Sequence, residues 1–207
     1  VHVDPEGTQR HVNLMDAGGD RISVFANAGS EELDIDPSVI EPLLEGCDLV
    51  SVTINNYCRP FLPLLAEAGV PVSIDIHDYD GRDAYHRQFI ETADYLFASS
   101  IRLPEYDDFM AARIDAGAEM VVVTHGAHGA SAMSSDGEYV DTEAVPVLRV
   151  VDTNGAGDAF FAGFMVTHLA GGDLEMSMAN GAVLAAAAVQ SLELAPDPEQ
   201  TPDLNLP

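Results

Sequence analysis

Apolar and polar positions along this chain follow two periods in turn. Short apolar, β-prone runs at residues 49–54, 72–76, 95–98 and 120–124 are separated by helically spaced segments at 61–68, 83–92 and 103–116. Strands alternating with helices predict βαβ units and a mainly parallel sheet with helices on both faces. The continuous apolar character of 49–54 predicts a strand buried on both sides. Ahead of it, 12–15 and 22–26 flank a DAGGD turn at 16–20 and read as a hairpin. Asp36 followed by Pro37 predicts a helix start, with Ile40, Leu43 and Leu44 on one face and Gly46 ending it. Beyond Thr124 the rhythm changes to short strands, with turns at 125–129 and 136–137. Val147, Leu148, Val150 and Val151 form another β-prone run, and helices are predicted at 155–170 and 174–192. We expect one α/β domain over 1–194 and a poorly packed, acidic, proline-rich tail over 195–207. No internal repeat is visible.

Composition supports a single packed domain: 207 residues with 47% hydrophobic content are enough for a core and argue against disorder. No apolar run approaches the roughly 20 residues that cross a bilayer, and the first residues lack an apolar segment and a basic flank. A soluble, cytoplasmic protein is expected. Its first residue is Val1, so a trimmed, processed or partial chain is expected. Thirty-five acidic residues face eight basic ones, all arginine, for a net charge of −27. That surface repels nucleic acid and anionic membranes. The acids are spread rather than blocked, which favours the solvated surface of a salt-adapted protein over an acidic interaction tail. Cys47 and Cys58 fit no zinc spacing and are expected as reduced thiols without a role.

Candidate chemistry centres on residues 152–164, DTNGAGDAFFAGF, which lie between the β-prone run and a helix. Gly155, Ala156 and Gly157 leave the backbone nearly bare at the positive end of that helix, a recipe for binding phosphate. Asp158 follows at once, where a carboxylate repels phosphate unless a substrate hydroxyl lies between them. In that arrangement Asp158 takes the hydroxyl proton while the amides of 155–157 hold the transferring charge. The plainer reading makes Asp158 a first-turn acid on the helix dipole and the glycines a tight turn.

The stretch closely resembles the C-terminal signature of the ribokinase-like (PfkB) family of carbohydrate and nucleoside kinases, DTxGAGDxF, at all seven specified positions. The resemblance implies a Rossmann-like α/β fold and an ATP- and Mg2+-dependent phosphotransferase. It assigns Asp158 as catalytic base and Gly155, Ala156 and Gly157 as anion hole. The turn at 124–129, THGAHG, resembles the family's TxGxxG loop lining the nucleotide, with Thr124, Gly126 and Gly129 matching. His125 and His128 lack a nearby third metal ligand and read as polar turn residues. Asn180 falls where the family's penultimate helix meets the adenine, although core packing explains most of the small residues around it.

Ligands in such sheets bind beyond the carboxyl ends of the strands. Asp75, His77, Asp78 and Asp80 lie there after 72–76, either as a magnesium or substrate-hydroxyl site or as an acidic loop with a helix cap. Asp75 ranks first, because many relatives carry an aspartate at that strand end. Asn56, beside Asn55, is a candidate for sugar hydroxyls or for turn formation. The family segment that usually reads NxxE carries Ser99 and Arg102 here, which puts the usual magnesium arrangement in doubt and offers Arg102 to phosphate directly. Glu105 replaces the missing acid if its helix begins later. Asp152 and Asn154 match positions that help hold K+ in cation-activated relatives, but a completing glycine loop is not evident near the C-terminus.

The resemblance covers nearly the whole chain, yet only as the C-terminal portion of a family member. The N-terminal section, with its GG-containing signature and most sugar-binding residues, has no counterpart. Two functions stand: a kinase for a small-molecule sugar or nucleoside, or a catalytically incomplete nucleotide-binding module lacking the substrate half. Relatives often dimerise through a lid, near which the extended N-terminal pieces belong by analogy, so a homodimer is the assembly implied.

Overall fold

The computed structural model describes residues 3–15, 21–27, 29–30, 33, 35–192, 202–204 and 206–207. The expected turn at 16–20 lies outside them, as does most of the tail from 195. Two strands, β1 (Arg10–Met15) and β2 (Arg21–Asn27), pair antiparallel as a separate two-stranded sheet, as the hairpin pattern predicts. Asp36 then caps a 3₁₀ turn at Pro37–Ile40, its carboxylate accepting from Ser38 N, and α1 (Glu41–Leu44) follows.

The main sheet has six strands in sequence order: β3 (Val50–Val52), β4 (Val72–Asp75), β5 (Tyr95–Ser99), β6 (Met120–Thr124), β7 (Ala130–Ser134) and β8 (Tyr139–Thr142). β3 to β6 run parallel, and β7 and β8 are antiparallel additions. Successive residues of a strand serve opposite faces. Leu96, Ala98, Val121 and Val123 therefore pack with Leu62, Leu65, Phe89 and Met110, from α2 (Leu62–Ala68), α3 (Arg87–Thr92) and α4 (Tyr106–Asp115). Tyr95, Phe97, Met120 and Val122 pack with Phe160, Phe164 and Met178, from α5 (Ala156–Leu169) and α6 (Leu174–Ala188). Helices thus cover both faces. Phe89 and Phe164, both fully buried, each contribute on the order of 2–3 kcal/mol by leaving water.

Several boundaries move for local reasons. β3 is shorter than predicted and flanks the described sheet, with Ser51 exposed, so it is not buried on both sides. Residues 147–151 form no strand. Leu148 is fully exposed, and Val151 donates its N–H to Val189 O (2.7 Å) at the end of α6 rather than to a sheet edge. Pro104 delays α4 to Tyr106, and the first turn of the predicted 83–92 helix is 3₁₀, capped by Asp83 through Tyr85 N. Cys47 and Cys58 are free thiols. No helix among the described residues is long and apolar enough to cross a membrane.

Candidate active site

Because β3 to β6 are parallel, their carboxyl ends lie along one edge of the sheet, and the register ties the following residues side by side. Ser99 pairs with Thr124, and Thr124 with Ala130. Ser99 donates its N–H to His77 O (2.7 Å), so the segments after β4, β5 and β6 form one continuous floor.

The turn before α5 reaches this floor. Gly155 adopts φ 76°, a left-handed conformation open to glycine at little cost, and this turn brings the chain into α5 at Ala156. Asp152 Oδ1 accepts from Asn154 N (2.8 Å) and closes the preceding loop. Gly157 and Asp158 are exposed in the first turn of the helix. A Cβ on Gly157 would lie 3.9 Å from Asp75 Oδ2, so the carboxylate at the end of β4 faces the start of α5.

Asp75 is half-buried, and its Oδ1 accepts from His77 N (2.7 Å). Burial pushes its pKa up. The charge and N–H of His77 act against that rise, and the neighbouring Asp158 carboxylate adds to it. His77 holds φ 53°, the only left-handed non-glycine among the described residues, an uncommon conformation that re-aims the chain two residues after Asp75. The arrangement sets two carboxylates from different elements beside a run of bare amides. Chemically it can hold an anion at the helix N-terminus and accept a proton from a hydroxyl placed between.

At the neighbouring turn, Gly126 and Gly129 have φ 57° and 99°, and a Cβ on Gly129 would overlap the Thr142 carbonyl oxygen. Both glycines are thus required by backbone geometry at the mouth of the floor. His125 N donates to Gly129 O (2.7 Å) and closes the turn, and Thr124 Oγ1 donates to Ala98 O (3.4 Å).

Other expected residues have different surroundings. Asn180 is 5% exposed in the α5–α6 seam, where its amide donates to Thr167 Oγ1 (2.8 Å). Asn56 braces its own turn, donating to Ser30 O (3.4 Å) and accepting from Arg59 Nε (3.2 Å). Arg102 pairs at 3.5 Å with both Asp78, exposed, and Asp80, half-buried, in the β4–α3 loop, a surface contact of small worth. Ser99 accepts from Ile101 N (3.4 Å) as a cap. Glu105 is the residue just before α4, the later start on which its substitution for the missing acid depends.

One contact was not foreseen. Asn13 of β1 donates to Asn154 Oδ1 (3.0 Å), tying the hairpin to the loop before α5. The two are 141 residues apart and neither belongs to a periodic pattern that pairs them; only their location on a strand and at a turn was legible.

Residues 83–201 match the model of a family described as pfkB family carbohydrate kinase. The chain is 36% identical over 184 residues to acarbose 7(IV)-phosphotransferase of Actinoplanes sp., covering 87% of this chain and 62% of that protein. It is 32% identical over 173 residues to ATP-dependent ribose-1-phosphate kinase of Halopiger xanaduensis, covering 80% and 56%. The chain thus spans less than two thirds of either relative. A solved microbiome-derived acarbose kinase superposes with TM-score 0.81 at 34% identity, over 93% of this chain and 66% of its own. Arabidopsis thaliana ribokinase, solved with ribose and ATP, gives TM-score 0.76 at 20% identity, a likeness of fold.

Proposed function

Because the chain belongs to the pfkB carbohydrate kinase family, we propose that it carries the phosphate-handling part of an ATP-dependent kinase whose acceptor is a sugar hydroxyl. The observation that carries this reading is the approach of Asp75 to the start of α5, where Gly155, Ala156, Gly157 and Asp158 follow one another. Asp158 accepts the proton of the acceptor hydroxyl as its oxygen bonds to the γ-phosphorus of ATP. The bridging β–γ P–O bond breaks and ADP leaves with the electron pair. The amides of 155–157, with the positive end of α5 behind them, stabilise the charge on the phosphoryl oxygens. Asp75 orients the acceptor hydroxyl toward Asp158. The turn carrying Thr124, Gly126 and Gly129 lines the nucleotide, with Asn180 supporting α6 behind it.

Magnesium supplies charge neutralisation when it arrives on the nucleotide. Such an ion needs only one or two protein groups. Ser99 and Glu105 are the groups we assign to its hydration shell. Potassium at Asp152 and Asn154 fits less well, because Asp152 Oδ1 is given to Asn154 N–H and Asn154 Oδ1 to Asn13. A cytoplasmic location is in keeping with ATP as donor, and the apolar face of the hairpin supports a homodimer.

Names of the relatives guide the choice of acceptors. ATP consumption is measured in high salt with magnesium against acarbose, ribose, ribose 1-phosphate and nucleosides. Turnover with one of them, reduced about a thousandfold or more in Asp158→Asn, is the expected result. Turnover that survives the substitution at the wild-type rate removes Asp158 as base. ATP binding without turnover on any acceptor favours the incomplete nucleotide-binding module.

A further inference from the structure

His125 makes more connections than a turn residue requires. Its ring Nδ1 lies 2.9 Å from Ser100 Oγ, after β5, and its Nε2 lies 2.8 Å from Ser131 Oγ, on β7. Ser131, 2% exposed, gives its hydroxyl proton to Asp141 Oδ1 on β8 (2.6 Å). The ring of Tyr106, at the start of α4, packs against the imidazole with centroids 4.5 Å apart.

Proton counting fixes the role of one ring nitrogen. Ser131 has one hydroxyl proton, committed to the Asp141 carboxylate, so toward His125 it can only accept. Nε2 therefore carries the ring proton. A neutral ring leaves Nδ1 as an acceptor, and the Ser100 hydroxyl donates to it. Burial lowers the His125 pKa against the opposing pull of Asp141 and Asp107, with His128 lowering it further, which favours the same neutral form. A directional chain of this kind, half-buried at His125 and Ser100 and buried at Ser131, holds its members in one geometry.

We infer that His125 is a positioning residue, clamping the β6–β7 turn to the Ser99–Arg102 segment so that these two pieces of the nucleotide face keep one fixed separation. This inference rests on the proposed kinase reading, in which both pieces serve the nucleotide. The clamp acts from behind the turn: the glycines present backbone to the ligand side, while His125, just ahead of them, anchors that backbone to the segment after β5 and, through Ser131, to β7 and β8. Its expected effect falls on nucleotide affinity and spares the acceptor, which is handled by Asp75 and Asp158 at the other end of the floor.

The test uses His125→Phe, which keeps the aromatic packing on Tyr106 and deletes both ring hydrogen bonds, and His125→Gln, which restores a donor toward Ser131. Ser100→Ala removes only the Nδ1 link at a half-buried position and serves if the ring variants fold poorly. Nucleotide binding is read by calorimetry with ADP and with ATP, and KM is measured separately for ATP and acceptor. Loss of one or two such bonds is expected to raise the ATP KM and the ADP Kd roughly tenfold in His125→Phe, less in Ser100→Ala, with partial recovery in His125→Gln. The acceptor KM is expected to stay within about twofold. Unchanged nucleotide affinity in both His125→Phe and Ser100→Ala overturns the inference, as does an equal rise in both KM values. A wild-type protein that binds no nucleotide removes the kinase reading itself, and the calorimetric arm separates that failure from the others.

Discussion

Asp75 illustrates what one residue can reveal from sequence and what it cannot. Its place at a strand end was legible, because the end of a parallel strand follows from an apolar run. Its orientation toward α5 was not, since that depends on packing between elements more than 80 residues apart. The same holds for Asn180, Asn56 and Arg102. Their types and positions were clear, but their partners Thr167, Ser30, Asp78 and Asp80 come from separate turns or helices. By contrast the amides of 155–157 were readable, since their chemistry belongs to the backbone itself. Asp75 also has a consequence for stability. Burial and the Asp158 charge raise its pKa, so between the ordinary carboxylate value and the raised one the folded state holds a proton that the unfolded chain has lost. Stability therefore falls as pH rises through that window and carries a constant penalty above it. Asparagine keeps the Oδ1 acceptor for His77 N–H and never ionises. Asp75→Asn is expected to melt at a higher temperature than wild type near pH 8, with the gap closing as pH falls toward about 4. It is expected to lose acceptor affinity at the same time, a trade between stability and site function. Thermal melts across that range check it, and a gap independent of pH excludes Asp75 ionisation as the cause.

Among the elements, the hairpin is the least self-sufficient. Val12 pairs with Val24 and Leu14 with Ile22, so four apolar side chains share one face, and they are 56%, 51%, 60% and 69% exposed respectively. The next residue along, Asn13, points the other way and bonds Asn154. A two-stranded ribbon is marginal alone in water, and an apolar face of this kind favours a cover. A second copy of the hairpin supplies one with matching chemistry, on the homodimer proposed above. Leu14→Glu places a charge at the centre of that face and is expected to convert a dimer into a monomer by light scattering, with the six-stranded sheet still folded by circular dichroism. A wild-type protein that is monomeric at all concentrations rules the reading out. The short apolar, β-prone run that marked each strand of this hairpin is the same signal that failed at 147–151. There the β-prone residues exist, but the chain's nearest hydrogen-bonding partner is the carbonyl at the end of α6, so strand propensity had no ladder to join.

At the scale of the molecule the dominant fact is charge. Eight arginines cannot offset 35 acids; ion pairs form between His86 and Asp83 and between Arg102 and Asp78 and Asp80. Folding brings these carboxylates closer than the extended chain does, so self-repulsion opposes the native state. The screening length falls from about 10 Å at 0.1 M salt to about 3 Å at 1 M, shorter than most spacings on a surface of spread charges. The fold is therefore expected to gain stability steeply between those two concentrations of KCl. Screening also has a distinctive signature. It depends on ionic strength rather than on which monovalent ion is present, whereas salting-out of apolar surface follows the anion and is strongest with sulfate. Melting temperatures in KCl, NaCl and choline chloride at equal ionic strength are expected to coincide. Agreement among the three with a rise from low to high salt assigns the effect to repulsion among the acids. A rise with potassium alone instead points to a bound cation, and the loop of Asp152 and Asn154 becomes the first place to substitute. A flat profile means that the acids are too far apart to repel, and the sequence-wide excess then serves solubility rather than stability.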